Sequence, residues 1–275
     1  MRKATFIERG LSYASELALQ NSKDLLTIIQ WNADNDIHLF RVGSGIFPWA
    51  SEYDPEDLPD IDDIKSLLSQ VGQLALSTNQ RLSAHPDHFV KLASTKPHVV
   101  ENSIGELELQ SYTFDLMGLS DSPHNPINIH VGMNFSSDVV DRWIASYNRL
   151  SDRCKSRLVV ENDDKPNSFS IKELYDNLHR SIDIPITFDY FHHSIHADGL
   201  DEPDAFLMAY ETWGDYTPLF HYSDSKREYE NDTARVTAHA DYVYNLINDY
   251  GFNVDVDLEA KAKELALFHY RKSYD

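Results

Sequence analysis

The stretch FDYFHHSIHADG, residues 188–199, places a carboxylate and three imidazoles directly after an apolar run. Asp189 ends that run, and His192 follows three residues later. Carboxylates and neutral imidazoles are both ligands for divalent metal ions, so an Asp-x-x-His pair at a strand end is compatible with a metal site. A motif this short also recurs by chance, and a helix cap or a satisfied core histidine explains it equally well.

Other predicted strands end in the same kinds of residue. Each residue alone has a structural explanation, such as an acid in the first turn of the next helix, where the helix dipole stabilises it. Convergence on one face explains all of them with one cause, because the carboxyl ends of barrel strands form the face on which active sites are built. The residues at or near successive strand ends are His85, His130, Glu161, Asp189, His221 and Glu259.

The elements that must position these side chains alternate along the chain. Short runs rich in Val, Ile, Leu and Phe are typical of strands buried on both faces, and amphipathic stretches between them indicate helical crossovers. Predicted strands span residues 37–42, 81–85, 127–131, 157–161, 185–189, 218–222 and 253–259. Predicted helices span residues 11–34, 62–77, 101–118, 137–149, 170–180, 202–213, 237–250 and 259–272.

This order predicts an α/β fold, namely a TIM-type (β/α)8 barrel whose first strand is missing or degenerate. The segment ATFI, residues 4–7, is the candidate for that first strand. No low-complexity linker or change in composition divides the sequence, so residues 1–275 are predicted to form a single (β/α) barrel domain.

The composition bounds the function. Asp and Glu number 45 against 24 Lys and Arg, which gives a formal net charge of −21. This charge is unfavourable for a nucleic-acid partner, which usually requires a basic surface, and it is compatible with a salt-adapted surface or with bound cations. The single cysteine, Cys154, excludes an internal disulfide and favours a reducing compartment. No segment has the roughly 20 apolar residues of a membrane helix, so we expect a cytoplasmic protein.

The donor set itself favours particular metals. Imidazoles and carboxylates without thiolates suit Zn²⁺ or Mn²⁺ in a catalytic rather than a structural site. With His192 included, the strand-end residues are too numerous for one ion, and two or three ions sharing bridging carboxylates would use them all. Clusters of this kind stabilise the attacking and leaving oxygens of a phosphodiester.

The sequence resembles the UV damage endonuclease family, whose (β/α)8 barrel is related to endonuclease IV and to the xylose-isomerase-like barrels. The resemblance runs from about residue 20 to residue 264. It implies a metal-dependent DNA repair enzyme that nicks the backbone 5′ of UV photoproducts in damaged double-stranded DNA, with abasic sites as a further candidate substrate. The segments that carry the resemblance are WNADNDIHLFRVGSGIFPWAS (31–51), RLSAHPDHFVKLAS (81–94), INIHVG (127–132), LVVENDD (158–164), PITFDYFHHSIH (185–196), FHYSD (220–224), AHADYV (238–243) and DLEAKAKE (257–264).

The resemblance also implies an arrangement of ligands around two or three ions, typically Mn²⁺, with Zn²⁺ and Mg²⁺ less favoured. His85 and His130 would bind one ion together with Glu161. Glu161 would bridge to a second ion held by Asp189, His221 and Glu259, and these four residues are the predicted catalytic group. His192 and His239 would hold a third ion; His239 is identified only through the resemblance.

Contacts to DNA follow from the same resemblance. His88 and Phe89 would push into the duplex beside the lesion, although core packing is an alternative explanation for Phe89. Lys261 is a predicted DNA contact for a different reason: in a chain of net charge −21, local basic residues must supply the contacts near the metal face. The protein is predicted to be a monomer. The chain departs from the family at Leu219, where members often have a lysine. Two other functions stay open: a sugar isomerase, and a barrel that binds damaged DNA without cutting it.

Overall fold

The computed structural model describes residues 3–274 and has an α/β architecture. Strands and helices alternate along this part of the chain, with short 3-10 turns at residues 50–52 and 55–57. The strands are β1 (Leu39–Val42), β2 (Arg81–Ala84), β3 (Ile127–His130), β4 (Leu158–Glu161), β5 (Ile186–Thr187), β6 (Leu219–Tyr222) and β7 (Asp255–Leu258). The helices are α1 (Lys3–Asp34), α2 (Ile61–Ser77), α3 (Pro97–Leu116), α4 (Ser137–Tyr147), α5 (Asp152–Arg157), α6 (Ile171–Leu174), α7 (Arg180–Ile182), α8 (Tyr190–Ile195), α9 (Glu202–Glu211), α10 (Lys226–Tyr229) and α11 (Glu264–Tyr274).

Every predicted strand is confirmed, with each end within about two residues of the prediction. Two other predictions are wrong. Residues 4–7, the candidate first strand, belong to helix α1, which bends at Gly10 (φ 67°) and stacks Phe6 on Tyr53 with ring centroids 5.9 Å apart. Residues 237–250 form no helix, because the carboxylates of Asp224 and Glu230 accept hydrogen bonds from backbone N–H groups in this segment.

The chain divides into two compact units, so the prediction of a single domain stays a prediction. The first unit comprises residues 1–128 and 146–158. Its strands β1 and β2 pair in parallel from Leu39↔Arg81 to Val42↔Ala84, and β2 continues to the start of β3. Helices α1 and α2 pack together over buried apolar side chains such as Ile29 and Leu68.

The second unit comprises residues 129–145 and 159–275. Strand β4 pairs in parallel with β5, a parallel bridge joins Asp189 to His221 at the end of β5, and β6 pairs in parallel with β7. Because these strands run in the same direction, their carboxyl ends lie at the same edge. Glu161 therefore ends β4 at that edge, where Asp189 and Glu259 follow β5 and β7.

Beneath that edge the core is aromatic. Phe188, Phe206 and Phe220 are fully buried and contact one another with ring centroids 5.2–6.1 Å apart. Such pairs stabilise the strand ends that carry the polar residues. Among the described residues no helix is long and apolar enough to span a bilayer.

Candidate metal centre

Glu161, Asp189 and His192 form a buried cluster within the second unit. Each offers a ligand atom, and these atoms lie within 4.8 Å of one another. Asp189 is the N-cap of α8, where its Oδ1 accepts a hydrogen bond from the backbone N–H of His192 at 2.7 Å. The other oxygen, Oδ2, is buried and accepts no hydrogen bond from the described residues. The Asp-x-x-His motif is thus a helix cap that also leaves one carboxylate oxygen available to a cation.

Glu161 is the centre of this cluster. Its Oε2 lies 3.1 Å from His221 Nδ1, and its Oε1 lies 3.3 Å from His192 Nδ1 and 3.7 Å from His130 Nε2. Burial alone would raise the pKa of Glu161, but His221, His130 and His192 together hold it well below its ordinary value. The carboxylate therefore stays ionised in the interior, as a ligand shared between ions must.

The pKa values of Asp189 and His192 are raised, in contrast to the lowered pKa of Glu161. Burial, reinforced by the negative charges of Glu161 and Glu259, raises the pKa of Asp189 to about 7. Burial would lower the pKa of His192, yet Asp189, Glu161 and Glu259 hold it well above its ordinary value. The site has an excess of negative charge that a bound cation would neutralise, and the uncommitted Asp189 Oδ2 fits the same ion.

Hydrogen bonds to backbone carbonyls fix the orientation of the histidines. His192 Nδ1 lies 3.0 Å from the Asn162 carbonyl and His239 Nδ1 lies 3.2 Å from the Glu259 carbonyl. Since a carbonyl only accepts, Nδ1 is the donor in both rings, and Nε2 carries the lone pair when the ring is neutral. This orientation is typical of metal-ligating histidines.

The remaining predicted ligands extend the cluster. His221 Nδ1 lies 3.4 Å from Glu259 Oε1, and His239 Nδ1 lies 3.5 Å from Glu259 Oε2. The His192 ring centroid lies 5.9 Å from that of His239 and 5.5 Å from that of His130. Within the second unit the structure therefore brings together His130, Glu161, Asp189, His192, His221, His239 and Glu259.

His85 belongs to the first unit, where it directly follows β2. Its Nδ1 lies 3.1 Å from the Pro86 carbonyl, so this nitrogen donates and Nε2 carries the lone pair in the neutral ring. This tautomer is the same as that of His192 and His239, although the role of His85 as a ligand stays a prediction.

Asn162 is a buried residue beside the cluster that the sequence does not single out. Its side chain bonds both backbone groups of Asp189, with Nδ2 donating to the carbonyl at 3.0 Å and Oδ1 accepting from the N–H at 2.8 Å. Its own carbonyl accepts from His192. Asn162 thus orients two of the three cluster residues. Its position directly after Glu161 is the available sequence signal, but the pairing partner lies 27 residues away.

The loop after β2 presents the two predicted wedge residues. The Phe89 side chain is 71% exposed, so core packing is the wrong explanation for it. His88 is also exposed, and its ring centroid lies 4.2 Å from that of Phe89. The next residues anchor the loop, because Val90 and Leu92 are buried and the Ser146 hydroxyl donates to the Leu92 carbonyl at 2.7 Å.

Lys261, the predicted DNA contact, is exposed and follows Glu259 by two residues. Its backbone N–H donates to the Ala240 carbonyl at 3.1 Å. Its contact with DNA stays a prediction.

Comparison with known proteins identifies the relatives of this chain. It is 33% identical over 285 residues to the UV-damage endonuclease of Schizosaccharomyces pombe, a match that covers 99% of this chain and 47% of that protein. The chain therefore spans about half the length of this relative. The crystal structure of SacUVDE is 28% identical, with a TM-score of 0.84 over 99% of this chain and 91% of that chain.

More distant structures show the fold alone. Endonuclease IV from Thermus thermophilus is 15% identical with a TM-score of 0.64, covering 90% of this chain and 93% of that chain. D-psicose 3-epimerase from Clostridium cellulolyticum is 13% identical with a TM-score of 0.58, covering 86% of this chain and 78% of that chain. These similarities confirm the predicted α/β class of TIM-type barrels.

The family model described as UV-endonuclease UvdE matches residues 1–275. It covers all the strand-end residues of the cluster and the loop that carries His88 and Phe89. The chain belongs to the UV-endonuclease UvdE family.

Proposed function

We propose that this chain is a metal-dependent DNA repair endonuclease that nicks the phosphodiester backbone on the 5′ side of UV photoproducts. The observation that carries the proposal is the buried cluster of Glu161, Asp189 and His192 in a chain of the UvdE family. The S. pombe relative is named a UV-damage endonuclease, which supports damaged double-stranded DNA as the substrate. Abasic sites are a second proposed substrate, and a monomer in the cytoplasm remains the expected form.

The residues present fit divalent ions, and we propose Mn²⁺. Imidazole and carboxylate ligands suit this metal, and the buried Asp189 Oδ2 accepts no hydrogen bond from the described residues, with His192 Nδ1 3.8 Å away. When bound, the ions would supply positive charge to the phosphodiester oxygens and lower the pKa of the attacking water. The residues that would hold them are His85, His130, Glu161, Asp189, His192, His221, His239 and Glu259.

The chain's own groups prepare the site before any ion binds. Glu161 is kept ionised between imidazoles, so no proton has to leave it when a cation arrives. Asn162 fixes the backbone of Asp189 and the ring of His192, which limits the motion of both ligands. Preorganised groups of this kind lower the reorganisation needed during catalysis.

A plasmid nicking assay tests the proposal. Supercoiled DNA, UV-irradiated or not, is incubated with the metal-stripped protein and added Mn²⁺, and the nick is mapped on a labelled duplex with one photoproduct. We expect conversion to open circles only with irradiated DNA and Mn²⁺, and a cut 5′ of the lesion. Equal nicking of both plasmids would mean a nuclease without lesion specificity, and no nicking with Mn²⁺, Zn²⁺ or Mg²⁺ would overturn the proposal.

The stacked pair of His88 and Phe89 supports recognition of a distorted duplex. An exposed aromatic side chain on an anchored loop can insert at a base step, and damage lowers the cost of unstacking that step. This local contact is needed because a net charge of −21 gives the protein a long-range field that repels DNA.

Phe89→Ala tests this contact. We expect nicking of a lesion in duplex DNA to lose about 1–3 kcal/mol of transition-state binding, the value typical of one stacked base. Metal content and thermal unfolding should stay unchanged because the side chain is exposed. Leu76→Ala, which removes a side chain that is 62% exposed on α2, is the matched control and should have no effect on nicking. Unfolding of the Phe89→Ala protein would show instead that the residue supports the loop.

A further inference from the structure

The predicted ligand His239 lies in a segment without regular secondary structure, residues 238–245, called here the His239 segment. Two backbone hydrogen bonds join it to the end of β6 and the start of α10. The N–H of Lys226 donates to the Ala238 carbonyl at 2.8 Å, and the N–H of Ala240 donates to the Asp224 carbonyl at 2.8 Å. These bonds flank His239 and fix its Cα relative to the strand that carries His221.

Asp224 anchors the far end of the His239 segment through its side chain, which is buried. Oδ2 accepts from the backbone N–H of Tyr244 at 2.7 Å and of Asn245 at 3.2 Å. Oδ1 accepts from Asn245 Nδ2 at 2.8 Å and from the Tyr222 hydroxyl at 3.1 Å. Both oxygens are committed to donors from the protein, unlike Oδ2 of Asp189.

Glu230 holds the middle of the same segment. Its Oε1 accepts from the backbone N–H of Asp241 at 2.6 Å and of Tyr242 at 3.3 Å, and from the Tyr244 hydroxyl at 3.0 Å. Lys226 Nζ joins Glu230 Oε2 at 3.3 Å to Asp241 Oδ1 at 2.6 Å. The segment is therefore held by carboxylates at positions where a helix or a second strand would otherwise supply hydrogen bonds.

We propose that Asp224 and Glu230 are positioning residues that set the affinity of His239 for a divalent ion without binding the ion themselves. The inference rests on the proposed function, because it takes His239 as a ligand. Nδ1 of His239 lies 3.2 Å from the Glu259 carbonyl and 3.5 Å from Glu259 Oε2, so the direction of Nε2 also depends on where the segment places the Cα of His239. Loss of the residues that orient a metal ligand typically weakens metal affinity about 10- to 100-fold.

Asp224→Asn is the sharpest test, because three of the four groups that face the carboxylate are N–H donors that cannot accept: the backbone N–H groups of Tyr244 and Asn245, and Asn245 Nδ2. An asparagine must turn its NH₂ group toward one side, which breaks at least one of these N–H hydrogen bonds while the side-chain volume stays the same. Mn²⁺ binding to the metal-stripped full-length chain is measured by titration calorimetry for wild type, Asp224→Asn, His239→Ala and the double variant. Hydrogen exchange of the Tyr244 and Asn245 amides is followed in the metal-free state.

The expected result is an affinity for one ion that is about 10- to 100-fold weaker in Asp224→Asn, with faster exchange of the two amides. In the double variant the affinity should equal that of His239→Ala alone, because Asp224 acts through His239. Additive losses would overturn the inference, since they would mean that Asp224 supports the centre by another route. Unchanged affinity despite faster exchange would overturn it as well.

Two further variants keep the test decisive. The glutamine in Glu230→Gln can still direct its oxygen at the segment, so the affinity for the same ion should fall by a smaller factor. This variant replaces Asp224→Asn if the Asp224→Asn protein does not fold. Tyr222→Phe removes a donor to Asp224 from outside the segment and should leave affinity unchanged. A wild-type chain that binds no Mn²⁺ overturns the proposed function itself, whereas equal binding by wild type and both carboxylate variants overturns this inference alone.

Discussion

Arg157 and Glu161 are four residues apart, both are fully buried, and both carry a charge, yet their surroundings differ in kind. Arg157 is the last residue of α5, directly before β4, and Glu161 is the last residue of that strand. In a barrel fold the amino ends of the strands support stability and the carboxyl ends support catalysis. The two residues show how this division appears in hydrogen bonds.

Arg157 is saturated with partners from its own unit. Its guanidinium donates to backbone carbonyls of Ser111, Leu119 and Ser120 at 3.0–3.1 Å and to the carboxylates of Asp115 at 2.7 Å and Asp121 at 2.6 Å. Each N–H of the fork has an acceptor, so the buried charge is fully compensated. The guanidinium therefore has no N–H group left to bind a ligand.

The negative charges of Glu161 and its neighbour Asp189 are compensated differently from the charge of Arg157. Glu161 is surrounded by imidazoles, which are charged only when protonated, and Asp189 retains a buried oxygen without a hydrogen bond among the described residues. Burial, reinforced by the negative charges of Glu161 and Glu259, raises the pKa of Asp189. A buried charge with complete hydrogen bonding thus indicates a structural role, whereas a buried cluster with an uncommitted acceptor indicates a site prepared for a cation.

Glu161→Ala should have the largest effect on activity, and it tests most directly whether Glu161, unlike Arg157, has a catalytic role. We expect nicking of irradiated DNA to fall by at least about 10³-fold, the scale of losing a principal charge-stabilising group, because no neighbouring side chain can bridge in its place. Circular dichroism and gel filtration should show a folded protein. Normal turnover by the folded variant would rule out a metal cluster shared through Glu161.

Much of this centre could be predicted from the sequence, because parallel strands bring their carboxyl ends to one edge and the apolar runs mark the strands clearly. Arg157 could not be assigned its role, since its partners lie 36–46 residues away along the chain. The helix predicted for residues 237–250 failed for a similar reason. Its apolar spacing suits a helix, but Asp224 and Glu230 supply acceptors that only the tertiary structure reveals.

The same limit applies to the start of the chain. Thr5, Phe6 and Ile7 have a high intrinsic preference for strands, yet they continue α1 and pack through Phe6 on Tyr53. His239 became a candidate only through its family resemblance. Its segment has no strand end to mark it, and the bonds that orient it come from residues distant in sequence.

Arg157→Met should be the largest stability change and leaves the metal centre intact. We expect the free energy of unfolding to fall by about 3 kcal/mol, because Asp115 and Asp121 lose their buried partner. Urea unfolding followed by fluorescence measures the change, and Mn²⁺ affinity of the folded variant should equal that of wild type. Arg153→Met is the matched control: this side chain contacts the same two carboxylates but is 65% exposed, so its loss should matter little. Equal destabilisation by both variants would mean that burial is not what distinguishes Arg157.

Asp189→Asn should change the stability of the metal-free protein in the opposite direction, by increasing it. The pKa of Asp189 is about 7 in the folded state, against 3.8 for an ordinary aspartate, so wild type must ionise a buried carboxyl as pH rises through this range. A raised pKa of this kind makes the folded state lose stability between about pH 4 and pH 7, and asparagine removes the loss. We expect the variant to have a larger free energy of unfolding than wild type at pH 8, and the two values to converge toward about pH 4.

Added Mn²⁺ should make wild type more stable than Asp189→Asn at pH 8. The ionised carboxylate of wild type binds the cation, and the amide of the variant cannot replace it as a ligand. The measurement is a series of urea unfolding curves from about pH 4 to pH 8 with and without the metal. A stability difference that does not depend on pH would show that Asp189 is compensated as fully as Arg157, and the contrast between the two buried charges would then fail. A difference that grows with pH and changes sign with Mn²⁺ is the signature of a carboxylate with one oxygen available to a cation.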